Sequence, residues 1–335
     1  MRSLSIRSKL LAMMLLAGIL CLAAGGLVAD IGGRAAMQAA VFNQLTSLRE
    51  DKRAQVEDYL DRLRRSVRLL SVTPTTSRAM TAFSASFAKM NEAAREPPAV
   101  DLVDYYRERF LPSLARMSNG TPLLEAYMPT GSAARKLQAD YIARNPYKGN
   151  ERRKLSAASG ADAYDALHAE LHPFFLNAVQ QNHVDNIMLV DARTGDVVYS
   201  VDKQEDFATN LRTGPYAHTG LARAFERALD AHDVGAVVYE TFSPYPPAEL
   251  VPTAFMAAPI VQDGATIGVI VVQLSIDEIN HVMTSDHRWS DIGLGKTGSA
   301  YLVGRDRRAR SDDRGLIEDK AAFLQRLASV GVDRD

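Results

Sequence analysis

Twenty consecutive residues without a charge, Leu10 to Ala29 (LLAMMLLAGILCLAAGGLVA), constrain this chain more than any other feature in it. A helix of that length crosses about 30 Å of hydrocarbon. Arg2, Arg7 and Lys9 precede the run and Asp30 closes it. Positive-inside bias therefore makes residues 1–9 a cytoplasmic tip, residues 10–29 a transmembrane helix, and the remainder extracytoplasmic. A cleaved signal peptide is the competing reading, but its apolar core is typically about 7–15 residues. The Leu27-Val28-Ala29 exit also lacks a small residue at its first position, and Leu20 before Cys21 does not suit a lipoprotein signal.

A second crossing is not expected. The next most apolar run, Ala265 to Ile276, is 12 residues, rich in Val and Ile and preceded by an Asp263-Gly264 turn, which reads as a buried strand. With 47% apolar and 24% charged residues, the chain as a whole has the balance of a folded protein. The full chain's 39 Lys and Arg against 40 Asp and Glu leave a net charge of −1, without the broad cationic field of a nucleic-acid binder. One cysteine, Cys21, excludes an intramolecular disulfide framework and a CxxC zinc site.

From Arg34 to Val72 neither proline nor glycine interrupts the chain. Leu45, Leu48, Val56, Tyr59, Leu63, Val67 and Leu70 fall at steps that place them on one helical stripe, broken once by Lys52. This stalk, residues 34–72, would be about 58 Å long. Its stripe serves either as a homodimer seam or as a packing face for the chain's own later elements. Residues 75–181 read as further helices: Ser77–Glu96, Asp101–Met117 and about Ala161–Gln181, with an Asn119-Gly120-Thr121 sequon between them.

At Asp185 the period changes from helix to strand. Asp185–Asp191 and Asp196–Val201 form a hairpin, and a helix follows near Leu221–Ala231. Gly235–Phe242, Thr253–Val261 and Thr266–Leu274 complete a five-stranded antiparallel sheet with one covered face, in an α+β fold. After a helix from Ile276 to about Asp286, Ser299–Gly304 and Arg308–Ser311 read as the start of a second sheet, so the chain is expected to be part of a longer working unit.

The set of local signatures is then Ile187–Asp191 with Thr194-Gly195, Asp206–Leu211, Gly214-Pro215-Tyr216, Phe242–Pro247, Ala254–Ile260, Ile267–Leu274 with Asp277, and Gly293–Asp306. Together with the order anchor, long helix, five-stranded unit and restart, it resembles the extracytoplasmic double Cache sensor modules. These are PAS-like regions of bacterial chemoreceptors, sensor histidine kinases and membrane-anchored nucleotide cyclases. The resemblance implies a PAS-like Cache module at 182–286 and a linker with an incomplete second module at 287–335. It also implies a place in the bacterial inner (plasma) membrane. The Tyr…Arg…Trp-Tyr constellation of the amino-acid-binding subset has no counterpart here, since Arg288-Trp289 lies after the sheet.

Other motifs are weaker. Gly293–Gly298 (GLGKTG) satisfies GxGxxG, but a phosphate loop needs a strand before and a helix after, and the order here is reversed. His168 and His172 share a helix face, yet lack the HExxH glutamate and read as packing histidines. Arg305–Arg310 interleaves with acids as a solvated turn, and Arg152-Arg153-Lys154 would meet lipid headgroups only if the helices folded back to the membrane. No nucleophile elbow or other catalytic constellation is present, and neither a metal nor a cofactor is expected.

In the family, positions like those of Tyr199, Asp206, Tyr216 and Tyr239 line a pocket between the sheet and its covering segment, and the Pro-rich loop adds Phe242 and Tyr245. The resulting expectation is the ligand-sensing part of a transmembrane receptor of the methyl-accepting chemotaxis type. It would bind a small molecule, dimerise through the stalk and lack its output domain here. The sensor half of a histidine kinase or nucleotide cyclase, or a stand-alone anchored binding protein, are the alternatives.

Overall fold

The computed structural model describes residues 6–92, 98–118, 120–158, 162–231, 233 and 235–331. Residues 1–5 of the expected tip, Glu96 and the sequon's Asn119 lie outside them. Anchor and stalk are one continuous helix, α1 (Ile6–Ser71). The sequence reading left a gap at 30–33, but Asp30 and Arg34 pair across it at 3.0 Å on successive turns. The apolar first part of α1 has a mean hydropathy of 2.4 over its best window and is long and apolar enough to cross a membrane.

Thr73 ends α1 and caps α2 (Pro74–Asn91), its hydroxyl accepting from the Thr76 amide at 3.3 Å, with Pro74 in the first turn where its missing N–H costs nothing. Helix α3 (Val100–Tyr105) continues through a π-helical turn (Tyr106–Phe110) into α4 (Leu111–Met117). Two short helices, α5 (Leu124–Tyr127) and α6 (Ser132–Gln138), a second π-helical turn (Ala139–Ala143) and a 3-10 turn (Gly149–Lys154) follow. Helix α7 (Ala163–Asn182), capped by Asp162, leads into the sheet.

The strands are β1 (Asn186–Asp191), β2 (Val197–Ser200), β3 (Val238–Pro244), β4 (Pro252–Gln262) and β5 (Ala265–Leu274), with α8 (Gly220–Leu229) between β2 and β3. They form one antiparallel sheet in the order β2-β1-β5-β4-β3. Alternation sorts side chains to two faces. Ile187, Leu189, Met256, Ile270 and Val272 join a core with Val56, Tyr59, Leu63 and Val67 of α1, Phe83 of α2 and Phe175 of α7. Met188, Val190, Phe255, Val269 and Val271 face α8 and the segment before it. A third, small cluster gathers Leu102, Tyr106, Phe110 and Leu114. Gly268 is required by contact: a Cβ there would come within 2.1 Å of the Met80 sulfur and 2.9 Å of the Val190 carbonyl.

Residue 52 divides the stalk stripe. Val56 to Val67 pack on the chain's own sheet, whereas Val41, Phe42 and Leu45 below them are exposed. Lys52, the break in the apolar pattern, donates to the carbonyl of Val282 and the hydroxyl of Ser285, where helix α9 (Ile276–Thr284) ends. Its charge thus meets the negative end of a helix dipole.

Beyond α9 the expected strand pair is present as one antiparallel bridge rather than as two full strands. Ser299–Gly304 and Arg308–Ser311 run antiparallel around one bridge, Val303 with Ala309, closed by backbone bonds from Gly304 to Arg308 at 2.8 Å and from Arg310 to Leu302 at 2.7 Å, with the Leu302 amide donating to the Ser311 hydroxyl at 2.8 Å; Tyr301 and Val303 are exposed. Ala300 and Leu302 pack, partly buried, on the helix-side core of the sheet, and a two-stranded ribbon this short is marginal by itself. Short helices α10 (Arg314–Glu318) and α11 (Lys320–Ser329) follow. Arg314 fills the GLGKTG loop, donating to the carbonyls of Gly295 at 2.9 Å and Gly298 at 3.3 Å, and stacks on Trp289. No helix begins directly after the glycines, so the loop has no phosphate-binding geometry.

Candidate functional site

β1 starts, β2 ends and β5 ends at the same edge of the sheet, which brings Asp185, Asp202 and Ser275 around one opening. A cavity of about 530 Å³ lies there. Its walls come from Tyr105, Arg109 and Ser113 of the helical segment, Arg152 and Arg153 of the 3-10 turn, loop 202–205, loop 247–251, and Gln273 of β5 with Ile276 and Asp277 at the start of α9. A space of this size, partly apolar and edged by a few polar groups, suits a small molecule.

Asp202, Gln204 and Glu205 on the wall belong to the run Asp202-Lys203-Gln204-Glu205-Asp206, in which all four charged residues are buried. Charges survive burial only when they are paired or neutralised. Asp202 pairs with Arg153 at 3.0 Å, and Glu205 with Arg152 at 3.2 Å and the Tyr105 hydroxyl. Lys203 donates to the Val201 carbonyl at 2.9 Å and lies over the Tyr141 ring; burial brings its pKa down to about 7. Asp206 accepts from the Tyr245 hydroxyl, and burial lifts its carboxyl to about 7. Gln138 holds the loop from behind, donating to the carbonyls of Glu205 at 3.0 Å and Phe207 at 2.7 Å while accepting from Tyr106.

Two acceptors on the cavity have no donor among the described residues: Oε1 of Gln273, a residue only 1% exposed, and Oε1 of Gln204. Leaving a buried acceptor unmet costs about 1–3 kcal/mol. Asp185 lies beside them with its pKa raised to about 6 by burial. At the exposed mouth, Lys148 has its pKa lowered by burial and by the like charges of Arg109 and Arg152. The cavity is therefore bipolar, with acceptors at the end of the sheet and cations at the mouth.

The six residues singled out from sequence do not form one site. Asp206, Tyr216 and Tyr245 come together on the α8 side of the sheet, with the Tyr216 and Tyr245 rings 6.4 Å apart. Tyr199 faces the opposite core, stacked on Phe83 at 4.8 Å, its hydroxyl 2.7 Å from His172 Nδ1. Phe242 and Tyr239 also pack on that opposite side. None of the six lines the cavity, although Pro247, next to Tyr245 in the expected loop, does.

His168 and His172 are stacked at 4.5 Å inside the helical core and bonded to the Ser156 carbonyl, the Tyr199 hydroxyl and the Arg153 carbonyl. Among the described residues no cluster of His, Cys, Asp and Glu has a metal-binding arrangement. Sequence reasoning missed Arg152, Arg153, Asp202, Glu205 and Gln273. The available signal was the unbroken polar run 202–206 directly after a buried strand. Arg152 and Arg153, weighed only as lipid contacts, are instead held by Glu205 and Asp202.

No protein-family model and no curated protein matches the chain. Among solved structures it is similar to the sensor domain of the Vibrio cholerae histidine kinase DctB, at 14% identity and a TM-score of 0.28, over 54% of this chain and 58% of that one. It is also similar to the ligand-binding domain of the Pseudomonas fluorescens chemoreceptor CtaA in complex with L-serine, at 16% identity and 0.30, over 66% and 74%. A third is the ligand-binding domain of a Campylobacter jejuni chemoreceptor in complex with 4-methylisoleucine, at 10% and 0.32, over 78% and 77%. At scores of this size the likeness says nothing about what this chain binds.

Proposed function

We propose that the chain is the extracytoplasmic ligand-sensing part of a bacterial transmembrane receptor of the methyl-accepting chemotaxis type. The cavity at the end of the sheet is the ligand site, and the unpaired Gln273 Oε1 on its wall is the observation that carries the reading. The ligand is a small bipolar molecule, with N–H or O–H donors toward Gln273, Gln204 and Asp185 and an anionic group toward Lys148 and Arg109. A ligand shifts a receptor only by binding its two states unequally. Here the cavity touches Ile276 and Asp277 at the start of α9, and the end of α9 is bonded to Lys52 of α1. Helix α1 continues into the apolar span, so movement of α9 reaches the membrane through Lys52. Exposed Val41, Phe42 and Leu45 supply the seam for a second copy below that joint.

The test is thermal melting of the full chain in lipid nanodiscs against a panel of small zwitterions, amines and acids. A ligand at 100 times its dissociation constant adds about 2.7 kcal/mol. The same ligand should leave Gln273→Leu unshifted. Equal stabilisation of both proteins would place the site elsewhere.

A further inference from the structure

The bond between Asp206 and Tyr245 joins two walls of the cavity. Asp206 directly follows Glu205 on one wall, and Tyr245 begins the turn that carries Pro247, Ala248 and Glu249 on another. Both residues are buried, and the contact is supported differently from its neighbours. Asp202 and Glu205 each meet an arginine. Among the described residues Tyr245 is the side-chain donor to Asp206, and Asp206 Oδ1 and the Tyr216 hydroxyl have no hydrogen-bond partner.

The titratable groups that act on Asp206 are Tyr245 from the β3–β4 connection, Tyr216 from the segment before α8, Tyr106 from the π-helical turn, and Glu205 and Asp202 from its own loop. None is a cation, and Arg152 is engaged by Glu205 and Tyr105. Tyr245 donates more strongly to an ionised carboxylate, but that one donor is outweighed by burial in apolar surroundings beside two other acids. The protonated acid keeps the bond, because Oδ2 still accepts from Tyr245 while the proton resides on Oδ1.

We propose that Asp206 and Tyr245 form a proton-controlled clasp, closed while Asp206 carries its proton and released when the carboxyl gives it to solvent, so that pH sets how firmly loops 202–206 and 245–251 enclose the cavity. That this tunes ligand affinity rests on the sensor reading above; the clasp itself does not. The window is that of a carboxyl shifted to about 7 by burial.

Hydrogen exchange of the full chain in nanodiscs at pH 6 and pH 8, each corrected for intrinsic exchange and measured without any ligand, tests the clasp. Protection of residues 202–216 and 243–251 should fall together by about tenfold across that interval, one pKa unit of opening, while strands β1 and β5 keep theirs. Asp206→Asn, which holds the bond without titrating, should keep both segments protected at both values. Tyr245→Phe should expose both segments already at pH 6. Unchanged protection in the natural chain, a persisting fall in Asp206→Asn, or full protection in Tyr245→Phe would each overturn the proposal. A panel without a binder would count against the sensor reading and leave this result untouched.

Discussion

The two faces of the sheet are built on opposite principles. Against α1, α2 and α7 the packing is aromatic, with Phe83, Tyr164, Tyr199, Phe175 and the two histidines in mutual contact; the tips of Tyr164, Tyr199 and His172 are bonded, while Tyr59 Oη, Ser84 Oγ, Asp165 Oδ2 and His168 Nε2 have no partner among the described residues. Against α8 and the helical segment the core closes only partway. Its last stretch is a buried charged loop, a cavity and several polar atoms without partners. Unmet acceptors that line a cavity, as those of Gln204 and Gln273 do, have something to gain from a ligand, and this is the difference between the two faces.

The comparison predicts a graded set of outcomes. Phe83→Ala should cost about 3–5 kcal/mol in denaturant unfolding, since a fully buried ring leaves a cavity among rings that cannot collapse onto it. An effect under 1 kcal/mol would show that the helix face is not the rigid one. Acid should act on the same face next. Burial lowers His172 to about 3. An imidazole with a depressed folded pKa contributes stability that is present above about pH 6.5 and lost as pH falls toward 3, roughly 5 kcal/mol in all. His172→Gln, which can bond the same partners without titrating, should flatten that limb. Asp206 works in the reverse sense: its raised pKa favours the fold at low pH, and the benefit disappears as pH rises from about 4 through 7.

On the cavity side, Glu205→Gln should cost about 3 kcal/mol by leaving Arg152 buried without its counter-charge. A loss no larger than that of a surface pair would mean that water reaches the site freely. Lys52→Met should cost about 2 kcal/mol for charged hydrogen bonds to the end of α9. In a signalling assay it should preserve ligand affinity while weakening the response; intact signalling would remove Lys52 from the coupling route. Gln273→Leu should change stability by less than about 1 kcal/mol, because an acceptor without a donor is lost. Its effect belongs to ligand binding alone.

Much of the fold was legible because it follows periodicity. The switch at Asp185 from steps of three and four to steps of two located all five strands within a few residues, and Thr73-Pro74 marked the turn from α1 to α2. The candidate site was legible only in fragments. Asp206, Tyr216 and Tyr245 do meet, but Tyr199 lies on the far side of the sheet. Lys52 read as a flaw in an apolar stripe until α9 was seen to end against it.

What the sequence determined by itself is the set of properties carried by neighbouring residues: an apolar span, a long helix, strands with two faces, and turns where Gly, Pro and Asp stand. Periodicity is a local property, so it survives without knowledge of the fold. Only the tertiary structure decided which buried charges have partners, because Arg152 and Glu205, or Asp206 and Tyr245, lie 53 and 39 residues apart in the chain. The cost of an unpaired charge in a low dielectric depends on what folding brings within a few ångströms, and no local pattern records that.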